Sequence, residues 1–265
     1  MSSTDDKEKS LYSAPALTKG LDVLELLAVA RTPMTMKEIA AGLGRSKNEI
    51  FRMLVALQER AYITRDPETD AFSLTDRLFT LGLHAPRQQD LLSVVTPELS
   101  LIAQDSRQSP HLVVLHHGLT VVVAAVPGGD DMSFTLRLGY GRPAVDATSG
   151  HVILAFQPPA TARRIIEESE ARSPSSLDQV EFYSHLEAIR TRGYELRSSR
   201  DFVGITDICC PIYGADGNAV AAIIIAYVNR HKHQNQHEAT LDVLRAACTR
   251  ISARLSAHVQ PVTET

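Results

Sequence analysis

The segment Arg45, Ser46, Lys47, Asn48, Glu49, with Arg52 one helical turn further on, gathers the side-chain types that recognise nucleic acid. Arginine and lysine bond guanine edges and phosphates, and asparagine can bond adenine through two atoms. Lys47, Asn48 and Arg52 are the candidates for base reading. Thr35 and Ser46, each placed to open a helix, are the candidates for phosphate contact. Arg65, further on, would meet phosphate or the minor groove. A lone charged residue on a helix is usually just a solvated face; it is the cluster at one helix end that points to DNA. Glu49 has a simpler role. It stands three residues after Ser46, as Glu38 stands three after Thr35, so each pair can close a capping box.

Elsewhere the reactive residue types form no recognisable catalytic pattern. The sequence has no Gly-x-Ser-x-Gly elbow, no phosphate-binding glycine loop and no His-Glu-x-x-His, so no enzyme is expected. His231, His233 and His237 in HKHQNQH read as a solvated loop before a helix rather than as metal ligands, so neither metal nor cofactor is expected. Cys209, Cys210 and Cys248 are too few, and odd in number, for a disulfide framework, which points to a reducing, cytoplasmic compartment. Consecutive strand residues face opposite ways, so of Cys209 and Cys210 one should lie in the core. No apolar run suits a signal peptide or a membrane span, and no membrane partner is expected.

Charge is distributed unevenly over the 265 residues. The whole chain carries −4, yet between Ala14 and Arg65 eight basic residues face five acidic ones. That segment is therefore at +3 and the remainder at −7. A basic module on an acidic body fits a polyanion partner held by one part only.

These residues need elements to hold them. Residues 1–13 lack periodicity and read as a disordered tail. Leu17, Leu21, Leu24, Leu27 and Ala28 mark a first helix, with Pro15 near its start. Thr35 caps a second helix reaching about Ala41, with Ile39, Ala40 and Leu43 inward, and Gly42 and Gly44 supply a turn. Ser46 caps a third, with Ile50, Leu54 and Leu57 as its apolar face. Tyr62–Ile63, the turn-rich RDPETD and the return AFSL form a hairpin. Together these make a winged helix-turn-helix over 14–76. A short helix follows in DRLFTLGLHA, and Pro86 with RQQD marks a boundary, so 77–90 reads as a linker helix. From 91 to 259 strands are expected at HLVVLHHG, TVVVAAVP, FTLRLGY, DICCPIYG and AVAAIIIAYV, with helices between and after them. The fold class is α+β, two-domain, with an antiparallel-rich sheet carrying helices. A module this small makes few contacts, so a homodimer or a dimer of dimers on a palindromic double-stranded operator is expected.

The segments ALTKGLDVLELLA, MTMKEIAAGLGRSKNEIFRMLVALQERAYI and GITDICCPIYGADGNAVAAIIIAY together resemble the IclR family of bacterial transcription regulators, over nearly the whole chain from Ala16. The resemblance implies a GAF-like effector domain after the linker helix, and control of catabolic genes by a small metabolite, often an organic or aromatic acid. It places the effector pocket at Phe134 and Leu136 on one strand, Thr148 and Ser149 at the start of the TSGHVILAF helix, Asp201, Cys209 and Cys210 around the loop before CCPI, and Ile224 and Ala226 on the last strand. A helix N-terminus with hydroxyls and free N–H groups is a ready carboxylate site. The apolar last strand, and His151 and Val152 in the helix, depart from relatives that bind small polar acids. They imply a bulkier effector with an apolar or aromatic body and one polar end. A competing reading is a small-molecule binding protein or enzyme whose helix-turn-helix serves only to dimerise. The basic end of the third helix separates the two.

Overall fold

The computed structural model describes residues 14–30, 32–83, 86–129, 133–174, 176–229 and 236–257, so the expected tail, His231 and His233 lie outside the described residues. The chain divides into two compact units between residues 88 and 89. The first holds α1 (Pro15–Val29), β1 (Met34–Thr35), α2 (Met36–Gly42), α3 (Lys47–Glu59), β2 (Ile63–Arg65), β3 (Ala71–Leu74) and α4 (Arg77–Leu83). The three helices of its core close over Val23, Leu27, Ile39, Ile50, Leu54 and Ile63. The strands form an antiparallel sheet in the order β1-β3-β2. The winged helix-turn-helix is thus present, with a third wing strand that two residues were too few to announce.

The turn between α2 and α3 is fixed at Gly44. Its φ is +61°, the left-handed region that glycine enters freely. Arg45 N–H donates to Ala40 carbonyl at 2.9 Å and Gly44 N–H to Ala41 carbonyl at 3.1 Å, the paired bonds of a Schellman ending. Gly42 is still helical, so only one of the two expected turn glycines does the turning.

The second unit contains β4 (Pro110–His116), β5 (Leu119–Ala125), β6 (Gly141–Pro143), β7 (Glu195–Ser198), β8 (Ile205–Tyr213) and β9 (Ala219–Val228) in one antiparallel sheet, order β6-β5-β4-β9-β8-β7. One face packs on α5 (Pro86–Ser106) and α9 (His237–Ala257), through Leu99, Ile102, Ile208, Cys210, Ile223, Leu244 and Ile251. The other carries a 3-10 turn (Ala144–Asp146), α6 (Thr148–Ala155), α7 (Pro159–Glu170) and α8 (Gln179–Arg192), through Val152, Ile153, Ile166, Leu186, Cys209 and Ala222. Pro86 opens α5, where the first helical residue needs no N–H partner, and the division between the two units falls just after it, within RQQD.

One expected strand is absent. Residues 134–137 of the FTLRLGY segment join no ladder. Side chains anchor them instead: His111 Nε2 accepts from Leu136 N–H at 2.8 Å, and Thr135 hydroxyl donates to Ser109 Oγ at 3.1 Å. Ladder pairing with β5 begins at Gly141, and the turn just before it already bonds Val122, whose carbonyl accepts from Gly139 N–H at 2.8 Å and whose N–H donates to Tyr140 carbonyl at 2.9 Å.

Candidate nucleic-acid interface and ligand cavity

Both expected capping boxes form. Glu38 accepts from Thr35 N–H at 2.7 Å while Thr35 Oγ1 accepts from Glu38 N–H at 3.4 Å. Ser46 and Glu49 repeat the exchange at the start of α3, at 3.1 and 3.4 Å. Lys19 on α1 adds an ion pair to Glu49 at 2.9 Å. That ammonium, followed by the Ser46 N–H and hydroxyl, holds the Glu49 carboxyl down at about 2. The N-terminal end of α3 is therefore pinned to α1 and to its own cap before any ligand arrives.

The candidate DNA residues divide by what they already touch. Lys47, Asn48 and Arg52 are exposed and make no hydrogen bond or ion pair with other described residues. Arg45 is tied to Asp22 on α1 at 3.0 Å, and its Nε is buried without a partner. Arg65 pairs with Asp70 across the wing at 2.8 Å and lies over the Phe72 ring. Thr35 and Ser46 spend their hydroxyls on Glu38 and Glu49. Three side chains are thus free for bases, while the other four first stabilise the module.

In the second unit a cavity of about 70 Å³ opens on the sheet face under α6. Its apolar wall is Val113, Val122, Leu136, Ile224, Ala226, and Phe134 packed edge-on to Phe202 at 5.1 Å between ring centres. Its polar end is built from Thr148, Ser149, Asp201, Asp207 and Arg142. Arg142 forms an ion pair with Asp201, and Thr148 hydroxyl donates to Asp207 at 2.7 Å. Burial pushes the Asp207 carboxyl upward, against the Thr148 bond and the charges of Arg197 and Arg142. His111 is buried with Nδ1 3.3 Å from Ile224 carbonyl and Nε2 accepting from Leu136, so burial keeps it neutral.

α6 begins at this cavity with no side-chain cap on its first turn. Ser149 and Gly150 there are buried. A Cβ on Gly150 would fall 2.1 Å from the Ala144 carbonyl oxygen, so only glycine lets the helix start lie against the 3-10 turn.

Seven of the nine residues expected at the pocket line this cavity: Phe134, Leu136, Thr148, Ser149, Asp201, Ile224 and Ala226. Cys209 and Cys210 do not. Cys209 shares the cavity's sheet face but is covered by α6 and fully buried; Cys210 points to the α9 side. Burial pushes the Cys209 thiol well up, and it serves as a small apolar group. Arg142, Asp207, His111 and Phe202 were not anticipated. Asp207 was within reach of the period-2 rule, since it stands two residues before Cys209 and shares its face. Arg142 was not, since its partner Asp201 is 59 residues away.

Comparison with known proteins bears on both units. The IclR helix-turn-helix domain matches residues 16–67, and the family described as bacterial transcriptional regulator IclR C-terminal matches residues 83–253. The HTH-type transcriptional regulator KdgR of Escherichia coli is 22% identical over 261 residues, covering 97% of this chain and 98% of that protein. A crystal structure of an IclR transcriptional regulator from Alicyclobacillus acidocaldarius shares the fold with TM-score 0.76 at 24% identity, over 92% of this chain and 100% of that one. An IclR homolog from Microbacterium hydrocarbonoxydans, complexed with 4-hydroxybenzoate, superposes with TM-score 0.77 at 23% identity, over 91% and 99%.

Proposed function

The chain belongs to the IclR family of bacterial transcriptional regulators, and from that premise we propose that it binds a palindromic operator as a homodimer or dimer of dimers and responds to an aromatic carboxylic acid. Residues 14–76 act as the DNA-binding domain, 77–90 as the linker and 91–259 as the effector domain. On DNA, Lys47, Asn48 and Arg52 read bases, and Thr35, Arg45, Ser46 and Arg65 hold phosphates. The exposed apolar residues Leu78, Phe79 and Leu81 of α4, and Leu17 and Leu21 of α1, support self-association.

The ligand reading is carried by the cavity's polarity. Aromatic and aliphatic residues make one end, and the uncapped start of α6 with Ser149 and Arg142 makes the other. The Phe134–Phe202 wall suits an aromatic ring once the cavity of about 70 Å³ widens to admit it, and the helix N–H groups suit its carboxylate. Burial raises the Asp207 pKa, the direction that lessens its repulsion of an incoming anion. The 4-hydroxybenzoate held by the Microbacterium homolog is of this class. Occupancy shifts the population between two arrangements of the effector domain, and α4 passes the difference to the wings.

The test is a calorimetric panel on the full chain: benzoate and 4-hydroxybenzoate against pyruvate and glyoxylate, with Ser149→Ala alongside. Binding of the aromatic acids, weakened by the substitution, is expected. Binding of the keto acids alone would overturn the ligand reading. Unchanged operator affinity in ligand-saturated protein would overturn the coupling.

A further inference from the structure

We propose that the cleft between α8 and β7 is a second small-molecule site, taking a compact anion that also carries a hydroxyl group, such as a hydroxy acid or a sugar-type phosphate. It does not depend on the reading of the first cavity. The cleft has a volume of about 570 Å³ and is lined by His151, Phe182, His185, Glu195, Arg197 and Arg200, among others.

Two arginines give the anion its place. Glu195 and Arg197 alternate along β7, so both point to the face that carries α6 and α8, while Leu196 packs toward α9. Glu195 is buried and already satisfied at one oxygen: Oε1 accepts from Arg192 at 3.0 Å and from Leu196 N–H at 3.1 Å. Arg197 and Arg200 form no ion pair with any described residue. Burial, then the charge of Arg200, depresses Arg197, while Glu195 and Asp207 act on it only from beyond ion-pair distance. Two guanidinium groups that line one cleft, neither ion-paired to a described residue, repel each other, and an anion between them lowers that cost even with Asp178, Glu181 and Glu195 on the same lining.

His151 supplies the second contact. It is 1% exposed. Its Nε2 lies 2.7 Å from the Val145 carbonyl, which assigns the proton to that nitrogen. Nδ1 is then a bare acceptor, buried with no partner, on a residue that lines the cleft. Burial holds the ring neutral, with its pKa at about 3, so the lone pair is permanent near neutral pH. Phe182 packs edge-on at 5.0 Å between ring centres and holds its orientation. His185 Nε2 stands 2.9 Å from Glu195 Oε2 without hydrogen-bond alignment, so these two atoms are also incompletely satisfied. An unpartnered buried acceptor calls for an O–H or N–H donor. Beside two free guanidinium groups, that donor is best carried by the anion itself.

The placement has a regulatory consequence. α6 gives Thr148 and Ser149 to the first cavity and His151 to the second. A ligand bound to His151 therefore acts on the same eight-residue helix as an effector at its N-terminus.

The probes are glycerol 3-phosphate, which carries hydroxyls, and methyl phosphate, which does not, titrated calorimetrically into the full chain. Wild type should bind glycerol 3-phosphate more tightly. Arg197→Gln with Arg200→Gln should weaken both by roughly tenfold or more. His151→Phe should erase the preference between the two while leaving methyl phosphate affinity in place, which loss of folding cannot mimic. No binding by wild type up to about 10 mM would overturn the proposal. So would unchanged affinity in the arginine double variant, or a preference that survives His151→Phe.

Discussion

On α3 the residues offered to bases, Lys47, Asn48 and Arg52, are exposed and hold nothing, whereas in the cavity of the second unit the polar groups already hold one another. Arg142 grips Asp201, Thr148 grips Asp207, and His111 bridges Ile224 and Leu136. The contrast follows from solvent. A side chain in water waits for a partner at little cost, but a buried polar group without one costs about 1–3 kcal/mol. A DNA surface can therefore be kept open, while the paired side chains of this cavity must exchange those bonds when a ligand enters. The two regions should fail in different ways when altered.

The largest effect should come at Gly150. A methyl group there meets backbone, not a movable side chain, at 2.1 Å. Gly150→Ala should destabilise the second unit by about 3 kcal/mol or more, because α6 must move off the 3-10 turn. Thermal unfolding should show a loss of roughly 6–12 °C in its transition. The first unit, which contains no part of α6, should keep its own transition. A shift under about 2 °C would mean that the helix start yields easily, and that the cavity is softer than its burial implies.

Next in size is the double substitution Lys47→Ala with Arg52→Ala. Operator affinity should fall roughly 100-fold and the preference for operator over unrelated DNA should relax, while the salt dependence of binding changes by less than about one phosphate-equivalent per subunit. Because neither residue has a partner among the described residues, unfolding temperature should stay within about 2 °C of wild type. Loss of binding together with loss of stability would show that the apparent openness of α3 is wrong.

Thr35→Ala sharpens the contrast within the first unit. It removes a cap together with one proposed phosphate contact, and caps are worth about 1 kcal/mol. Its unfolding temperature should drop by roughly 4–8 °C, the response of a small domain. Operator affinity measured well below that transition should change much less than in the double variant. Comparable losses would make Thr35 a phosphate contact of the first rank.

The same contrast explains what was legible beforehand. Capping boxes are local: Thr35 with Glu38 and Ser46 with Glu49 are read from a spacing of three, and the structure forms both. The turn at Gly44 and the apolar faces of α2 and α3 are local too. The two-residue β1 fell below any periodic signal. In the second unit most elements were readable, but β6 and β7 are short edge strands, and the alternating apolar residues at 134–137 read as a strand although their hydrogen bonds go to side chains. The cavity's chemistry depends on sheet register. Register puts Asp207 opposite Ala226 and Arg197, and Cys209 opposite Ile224 and Glu195. No spacing along the chain reveals that α6 then covers Cys209 and leaves Asp207 open.

Asp207 offers the smallest and most diagnostic test. Its folded pKa is raised by burial, above the unfolded value, so the folded chain keeps this proton to higher pH than the unfolded chain does. The protonated carboxyl contributes its full stability below the unfolded pKa, near 3.8, and that contribution is lost as pH rises through the folded pKa. An asparagine side chain at this position would be a permanent stand-in for the protonated form, with a carbonyl still able to accept from Thr148. Asp207→Asn should therefore melt higher than wild type at neutral pH, and the difference should shrink as pH falls. Subtracting wild type from variant at each pH cancels His151, His185 and the other titrating groups common to both. A pH-independent difference, or a variant less stable at neutral pH, would mean that the charged carboxylate is the form the cavity is built around. The reading of that end as an anion acceptor would then give way to one for a ligand that donates hydrogen bonds.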